Sequence, residues 1–315
     1  MNLKSLFFVG LLFVNASAAP VKVYVFAGQS NMGGLGFTQS LTAEQKQPNP
    51  LILAHQCWGK DENGAPTTQD NGQVTDPDQI DPLTGIWEAY QVGKKGQFHN
   101  NNGCYGPEFT SLPLLQKEAN ETIYIVKYAM GNTNLARDWN SRDGGDGKPG
   151  IYYARLIAKV DAAMKQLQKQ YGVEGYVAGT FWMQGEADKF VSYDKFKQFG
   201  VTSNDAFAKA YEQNLRNLIA DLRTTFNQPN MPFVLGETSD KVTDDPNYKS
   251  FSPLVRDSQH KVAQDTPNVA IAQATDLPKI QDGIHISGAG QQTLGQRFAE
   301  CYLSIVKKTS DPEAK

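Results

Sequence analysis

Val21-Lys-Val-Tyr-Val-Phe-Ala-Gly-Gln-Ser-Asn-Met-Gly-Gly34 is the stretch around which the 315-residue chain is organised. Its apolar, β-branched and aromatic run from Val21 to Ala27 predicts a buried strand. Gly28 ends that strand with a residue able to take backbone conformations closed to others. Ser30 therefore falls at a strand's carboxyl end, the edge where open parallel sheets form their ligand crevices, and a hydroxyl held there by a tight turn suits a nucleophile.

Apolar runs alternate with amphipathic ones along the rest of the chain, the pattern of a mostly parallel sheet covered on both faces. Further strands are expected at Leu51 to His55, Thr122 to Ala129, Gly175 to Met183, Phe233 to Glu237 and Val269 to Ala274. Tyr153, Ile157, Val160, Met164, Leu167 and Tyr171 recur at helical spacing, as do Phe207, Tyr211, Leu215, Leu218, Leu222 and Phe226. A last helix is expected from about Ala289 to Val306. The implied architecture is an α/β fold, a three-layer α/β/α sandwich in one domain.

Residues 1–19 read as a secretory leader. Lys4 supplies the positive charge, Leu6 to Val14 the apolar core and Ala16-Ser17-Ala18 the small-residue cleavage site. That core is much shorter than the roughly 20 residues a membrane span needs. The expectation is an exported chain, periplasmic or secreted, that does not span a membrane. A formal net charge of -3 weighs against nucleic acid or an anionic membrane as partner. Of the three cysteines, Cys57 and Cys104 flank one long loop and are expected to pair, leaving Cys301 as the odd thiol; their spacing fits no metal site.

Two stretches break the alternation, 58–103 and 130–150, both rich in Gly, Asn and Asp. They are expected to be surface loops walling a substrate cleft. An activated serine needs a base and a group to orient it, and the chain has only four histidines. His55 ends a short strand, His99 lies in an Asn-rich loop and His260 sits in a polar helical stretch, so all three read as structural. His285 differs: in Gln281-Asp-Gly-Ile-His-Ile-Ser287 it follows the last strand, with Asp282 three residues before it.

Four blocks in order now carry a resemblance: Gly28-Gln-Ser-Asn-Met32, Gly106-Pro-Glu108, Trp182-Met-Gln-Gly-Glu-Ala-Asp188 and Asp282-Gly-Ile-His285. The chain resembles the SGNH hydrolases, a flavodoxin-like fold, and within them the sialate O-acetylesterase group and the carbohydrate esterase family 6 acetylxylan esterases. Met130-Gly-Asn-Thr-Asn-Leu135 followed by Trp139 is similar to that family's Gly-rich segment. The resemblance implies Ser30 as nucleophile, His285 as general base then acid, and Asp282 as the orienting carboxylate. It assigns the oxyanion hole to the N–H groups of Ser30 and Gly106 and to the side-chain amide of Gln184, where the wider superfamily has asparagine. Gln29, Asn31, Asn134, Trp139 and Glu186 are candidates for supporting these groups or holding substrate.

The implied activity is removal of O-acetyl groups from a carbohydrate through an acyl-enzyme, with no metal or other cofactor. Trp58, Trp87 and Trp139, in or near the long loops, are candidates for stacking on sugar faces. An α/β-hydrolase would place Gly-x-Ser-x-Gly in mid-chain, and Gly28-Gln-Ser-Asn-Met32 lacks the second glycine. A zinc hydrolase is disfavoured because no His-Glu-x-x-His occurs. A carbohydrate-binding protein would not need Ser30, Asp282 and His285 together. An esterase for lipids or thioesters would be expected to present more exposed apolar runs.

Overall fold

The computed structural model describes residues 19–59, 80–94, 103–189, 197, 200, 202–240 and 250–310. The expected leader, apart from Ala19, lies outside the described residues, as does His99.

A seven-stranded sheet forms the middle layer. Its strands are β1 (Val21–Gly28), β3 (Asn49–Gly59), β4 (Ile80–Tyr90), β6 (Ile123–Ala129), β7 (Gly175–Met183), β8 (Phe233–Gly236) and β9 (Val269–Ala272), in the order β4-β3-β6-β1-β7-β8-β9. Every neighbouring pair is parallel except β3 with β4. β2 (Gly36–Phe37) and β5 (Cys104–Tyr105) form a separate short antiparallel pair. The helices are α1 (Ser30–Gly33), α2 (Glu108–Ala119), α3 (Ile151–Tyr171), α4 (Ala206–Thr225), α5 (Ser252–Asp265) and α6 (Gly288–Ser310).

The period of two along β1 divides the core. Val23, Val25 and Ala27 face one apolar cluster, with Leu156, Val160 and Leu167 of α3 and Leu215, Leu218 and Leu222 of α4. Tyr24 and Phe26 face the other, with Leu112 and Leu115 of α2 and Leu294, Phe298 and Ile305 of α6. The result is an α/β/α sandwich with β1 near its centre, so the carboxyl end of β1 opens between both helical layers.

β4 was not expected. It occupies part of the stretch 58–103 read as loop, and pairs antiparallel with β3 as the sheet's edge. Of its residues, Trp87 is buried, donates Nε1–H to Ala163 O (3.0 Å) and packs edge-on against Tyr124. Trp87 is therefore a core residue and not a sugar platform. The side chains of Trp58 and Cys57 lie outside the described residues, while Cys104 is a free thiol, so the expected Cys57 to Cys104 bond is not formed.

Candidate active site

At the end of β1, Gly28 has φ +146°, and a Cβ there would lie 2.1 Å from Met183 O of β7. Only glycine lets the two strand ends approach this closely. Gln29 N–H donates to Met183 O (2.9 Å), and the chain then turns into the single turn of α1 with Ser30 at its first position. No hydrogen bond takes up the Ser30 N–H among the described residues.

The opposing turn is built by Asp282. Its Oδ1 accepts the backbone N–H groups of Ile284 (2.8 Å) and His285 (2.9 Å), and Gly283 takes φ +69° to close the bend. Its Oδ2 lies 2.5 Å from His285 Nδ1, and His285 Nε2 lies 2.9 Å from Ser30 Oγ. An aspartate, an imidazole and a serine hydroxyl thus form one hydrogen-bonded chain across 255 residues of sequence. The His285 and Asp282 side chains are 24% and 39% exposed, which leaves the chain open to a substrate. Burial alone would raise the Asp282 carboxyl, but hydrogen bonds from His285 and Ile284 outweigh it and hold the group below its ordinary range.

The two residues flanking Ser30 point inward. Gln29 Oε1 accepts the N–H groups of Gly185 (3.4 Å) and Ala187 (3.3 Å). Asn31 Nδ2 donates to Glu186 Oε1 (2.6 Å), and Asn31 Oδ1 accepts the N–H of Ile286 (2.9 Å). All three side chains, Gln29, Asn31 and Glu186, are buried, so they support the site from below and do not face solvent.

Two expected oxyanion donors are engaged elsewhere. Gly106 N–H donates to Glu108 Oε1 (2.9 Å), and Glu108 Oε2 accepts from Lys127 Nζ (2.6 Å), which also donates to Gly33 O (3.0 Å). The Gly106-Pro-Glu108 block is thus a buried ionic prop beneath α1. Burial lowers the Lys127 ammonium, against the pull of Glu108. Gln184 is fully buried, and its Nε2 donates to Asp188 Oδ2 (2.6 Å) and Thr133 O (3.0 Å) while Tyr211 reaches its Oε1 (3.2 Å). Its amide is part of the scaffold.

Asp188 is the centre of that scaffold. Besides Gln184 it receives the N–H groups of Leu135 (2.8 Å) and Ala136 (3.1 Å), pinning the turn after β6 to the end of β7. Burial pushes its carboxyl up to about 7 against these hydrogen bonds. Asn134 caps the same turn: Asp138 Oδ2 accepts its N–H and its Nδ2 (2.8 Å each), and its Oδ1 accepts Arg137 N–H (2.8 Å). Trp139 is fully buried, donates Nε1–H to Thr133 Oγ1 (2.7 Å) and stands edge-on to Trp182, which rules it out as a sugar platform. The stretch 130–150 is therefore firmly tied down at its start.

This turn supplies a residue that the sequence reading missed. Gly131 follows β6, the strand beside β1, and Met130 N–H donates to Gly28 O (2.9 Å) to hold the two strand ends together. The nearest atom to a Cβ built on Gly131 would be Ser30 Cβ, at 3.8 Å, and the Gly131 N–H has no hydrogen-bond partner among the described residues. The signal was the glycine directly after a strand adjacent to that of Ser30.

His55 and His260 stand apart. His55 is fully buried with neither ring nitrogen hydrogen-bonded, and burial lowers its pKa to about 3, while His260 Nε2 meets Glu237 Oε1 at 2.7 Å. Among the described residues no group of three or more His, Cys, Asp or Glu is placed to hold a metal ion.

The family model for "carbohydrate esterase, sialic acid-specific acetylesterase" matches residues 20–304. The chain belongs to this family of carbohydrate esterases. A probable carbohydrate esterase of Arabidopsis thaliana is 21% identical over 305 residues, covering 92% of this chain and 94% of its own. The solved structure of an A. thaliana protein superposes with TM-score 0.57 at 20% identity, over 90% of this chain and 98% of that one. A carbohydrate acetylesterase from Xanthomonas citri gives TM-score 0.58 at 18% identity, over 90% of this chain and 56% of its own. At these identities the structural likeness is one of fold. The family match makes the protein an ester hydrolase that acts on carbohydrate, and no helix among the described residues of this esterase is long and apolar enough to cross a membrane.

Proposed function

We propose that the protein removes O-acetyl groups from a carbohydrate by a serine acyl-enzyme mechanism, with Ser30 as nucleophile, His285 as base and Asp282 as its orienting carboxylate. The observation that carries this reading is the Asp282–His285–Ser30 chain, with contacts of 2.5 and 2.9 Å at the open end of β1. Asp282 on Nδ1 keeps a lone pair on Nε2, which takes the Ser30 proton as Oγ bonds to the acetyl carbon. Negative charge then develops on the carbonyl oxygen. Fixed N–H groups there are the largest single source of rate enhancement in such sites, and the unengaged donors of Ser30 and Gly131 are the pair we assign to it.

Collapse of the tetrahedral species breaks the bond to the sugar oxygen, which leaves as a hydroxyl with the proton from His285 Nε2. Water then repeats the attack on acetyl-Ser30, its proton passing to His285, and acetate departs as Oγ recovers that proton. The choice of acetyl is supported by the carbohydrate acetylesterase among its structural relatives and by the description of its family. The positive charge at Lys4, the short apolar core and the small-residue cleavage site of the expected leader support action outside the cytoplasm, and the exported protein should begin near Ala19 or Pro20 when its first residues are sequenced.

The test is acetate release from acetylated xylan, other acetylated polysaccharides and O-acetylated sialic acid, with Ser30→Ala as control. Wild type should release acetate from at least one of these. The Ser30→Ala variant should melt like wild type and be inactive; turnover above a few per cent of wild type would remove Ser30 from the role.

A further inference from the structure

We propose that Glu186 is a positioning residue for the base: it fixes which way the Asn31 amide faces, and Asn31 in turn holds the turn that carries His285. The inference rests on the assignment of Ser30 and His285 as nucleophile and base.

Asn31 follows the nucleophile on α1, and its side chain reaches both sides of the base. Its Oδ1 accepts the N–H of Ile286 (2.9 Å), and its Nδ2 lies 3.5 Å from Ile284 O. From the other face, Gln291 Nε2 donates to Asn31 O (3.2 Å). One residue thus joins the helix of Ser30 to the turn of His285, which is the distance that proton transfer depends on.

An amide has nearly the same shape when its oxygen and nitrogen exchange places, so shape alone cannot select the useful orientation. Glu186 can. Its Oε1 lies 2.6 Å from Asn31 Nδ2, and a carboxylate has no proton to offer. Turned over, Asn31 would set oxygen against carboxylate oxygen and an NH₂ group against the N–H of Ile286. Both contacts would be repulsive. Asn31 is 1% exposed, Glu186 4% and Ile286 0%, so bulk water cannot restore what a flip would lose. Glu186 is itself aimed by its neighbours, since the N–H groups on either side of it, Gly185 and Ala187, are both held by Gln29 Oε1. Gln29 and Asn31 therefore flank Ser30 as two arms of one clamp, the first gripping the end of β7 and the second the turn before α6.

Glutamine at 186 keeps the shape but offers both an oxygen and an NH₂, and so cannot discriminate between the two orientations. The experiment measures kcat and KM on an aryl acetate for wild type, Ser30→Ala, Glu186→Gln, Asn31→Ala and the double variant Glu186→Gln/Asn31→Ala. For every variant that keeps Ser30, kcat is taken per serine titrated to completion with a fluorophosphonate, so misfolded protein does not count; Ser30→Ala is taken per folded protein. Glu186→Gln should lose roughly 10- to 100-fold in kcat, the size expected for a hydrogen bond to a charged group, with KM within about twofold of wild type. The double variant should be no slower than Asn31→Ala alone, because Glu186 acts through Asn31. A Glu186→Gln enzyme with more than half of the wild-type kcat, or losses that multiply in the double variant, would overturn the proposal while leaving the nucleophile intact. An active Ser30→Ala would instead remove the assignment on which it rests.

Discussion

Glu108→Ala tests whether the Gly106-Pro-Glu108 block is a prop or part of the oxyanion hole. Glu108 and Lys127 meet at 2.6 Å with side chains only 2% and 1% exposed. Removing the carboxylate leaves a buried ammonium with Gly33 O as its remaining partner in this trio, and frees the Gly106 N–H with no acceptor. Breaking one side of such a pair costs about 3–5 kcal/mol. An unfolding entropy of about 2.1 cal/mol/K per residue over a chain of this size makes that a fall of roughly 5–8 °C in Tm. The deficit should shrink as pH rises from neutral toward the ordinary lysine range near ~10.4. Burial already lowers Lys127, so without Glu108 the folded state can shed a proton that the unfolded chain keeps, and stability rises with pH across that window. Replacing both partners with apolar residues of similar volume should recover most of the loss. The assay is thermal and urea unfolding followed by circular dichroism, with kcat measured on the folded fraction. A variant that melts within about 1 °C of wild type but loses kcat would refute the prop and return Gly106 to the reaction.

Gln184→Ala should lower Tm and reduce kcat by less than about tenfold, since its amide is committed to Asp188 and Thr133; a purely kinetic loss of roughly 10²-fold or more would make it an oxyanion donor. Because burial lifts Asp188 to about 7, well above an unfolded aspartate, its folded carboxyl holds a proton that the unfolded chain has lost, so its contribution declines as pH rises from about 4 to 7. Stability of wild type minus that of Asp188→Asn should show this decline, and a flat difference would contradict it. His285→Ala should remove nearly all turnover, since its Nε2 lies 2.9 Å from Ser30 Oγ while Asp282, held below its ordinary range, stays ionised at neutral pH; a variant that keeps more than a few per cent of wild-type kcat would place the base elsewhere.

The sheet and its covering helices were readable because a strand buried on both faces must be apolar throughout and a covering helix must carry an apolar stripe. β7 spans Gly175–Met183, as the apolar run indicated, and α3 and α4 follow their leucine and tyrosine spacing. β4 escaped because an edge strand has one neighbour only, and a stretch rich in Gly, Asp and Pro around it masks the signal of Trp87 and Tyr90.

The sequence could bring Ser30, Asp282 and His285 forward as candidates for one site because each lies in a short local motif, and the structure joins them in one hydrogen-bonded chain; the Asp282 turn is closed by its own neighbours. The remaining site residues depend on partners from distant segments. Sequence alone cannot say that the Gly106 N–H meets a carboxylate two residues on that is itself recruited by Lys127 from β6. Nor can it say that Trp139 is enclosed against Trp182, or that Gly131 comes to rest beside Ser30. Residue type sets what a group can donate or accept, and motif spacing sets where a strand ends. Which donor is left free for a substrate is decided only after every buried polar group has taken its nearest partner, and those partners are assembled by the tertiary fold.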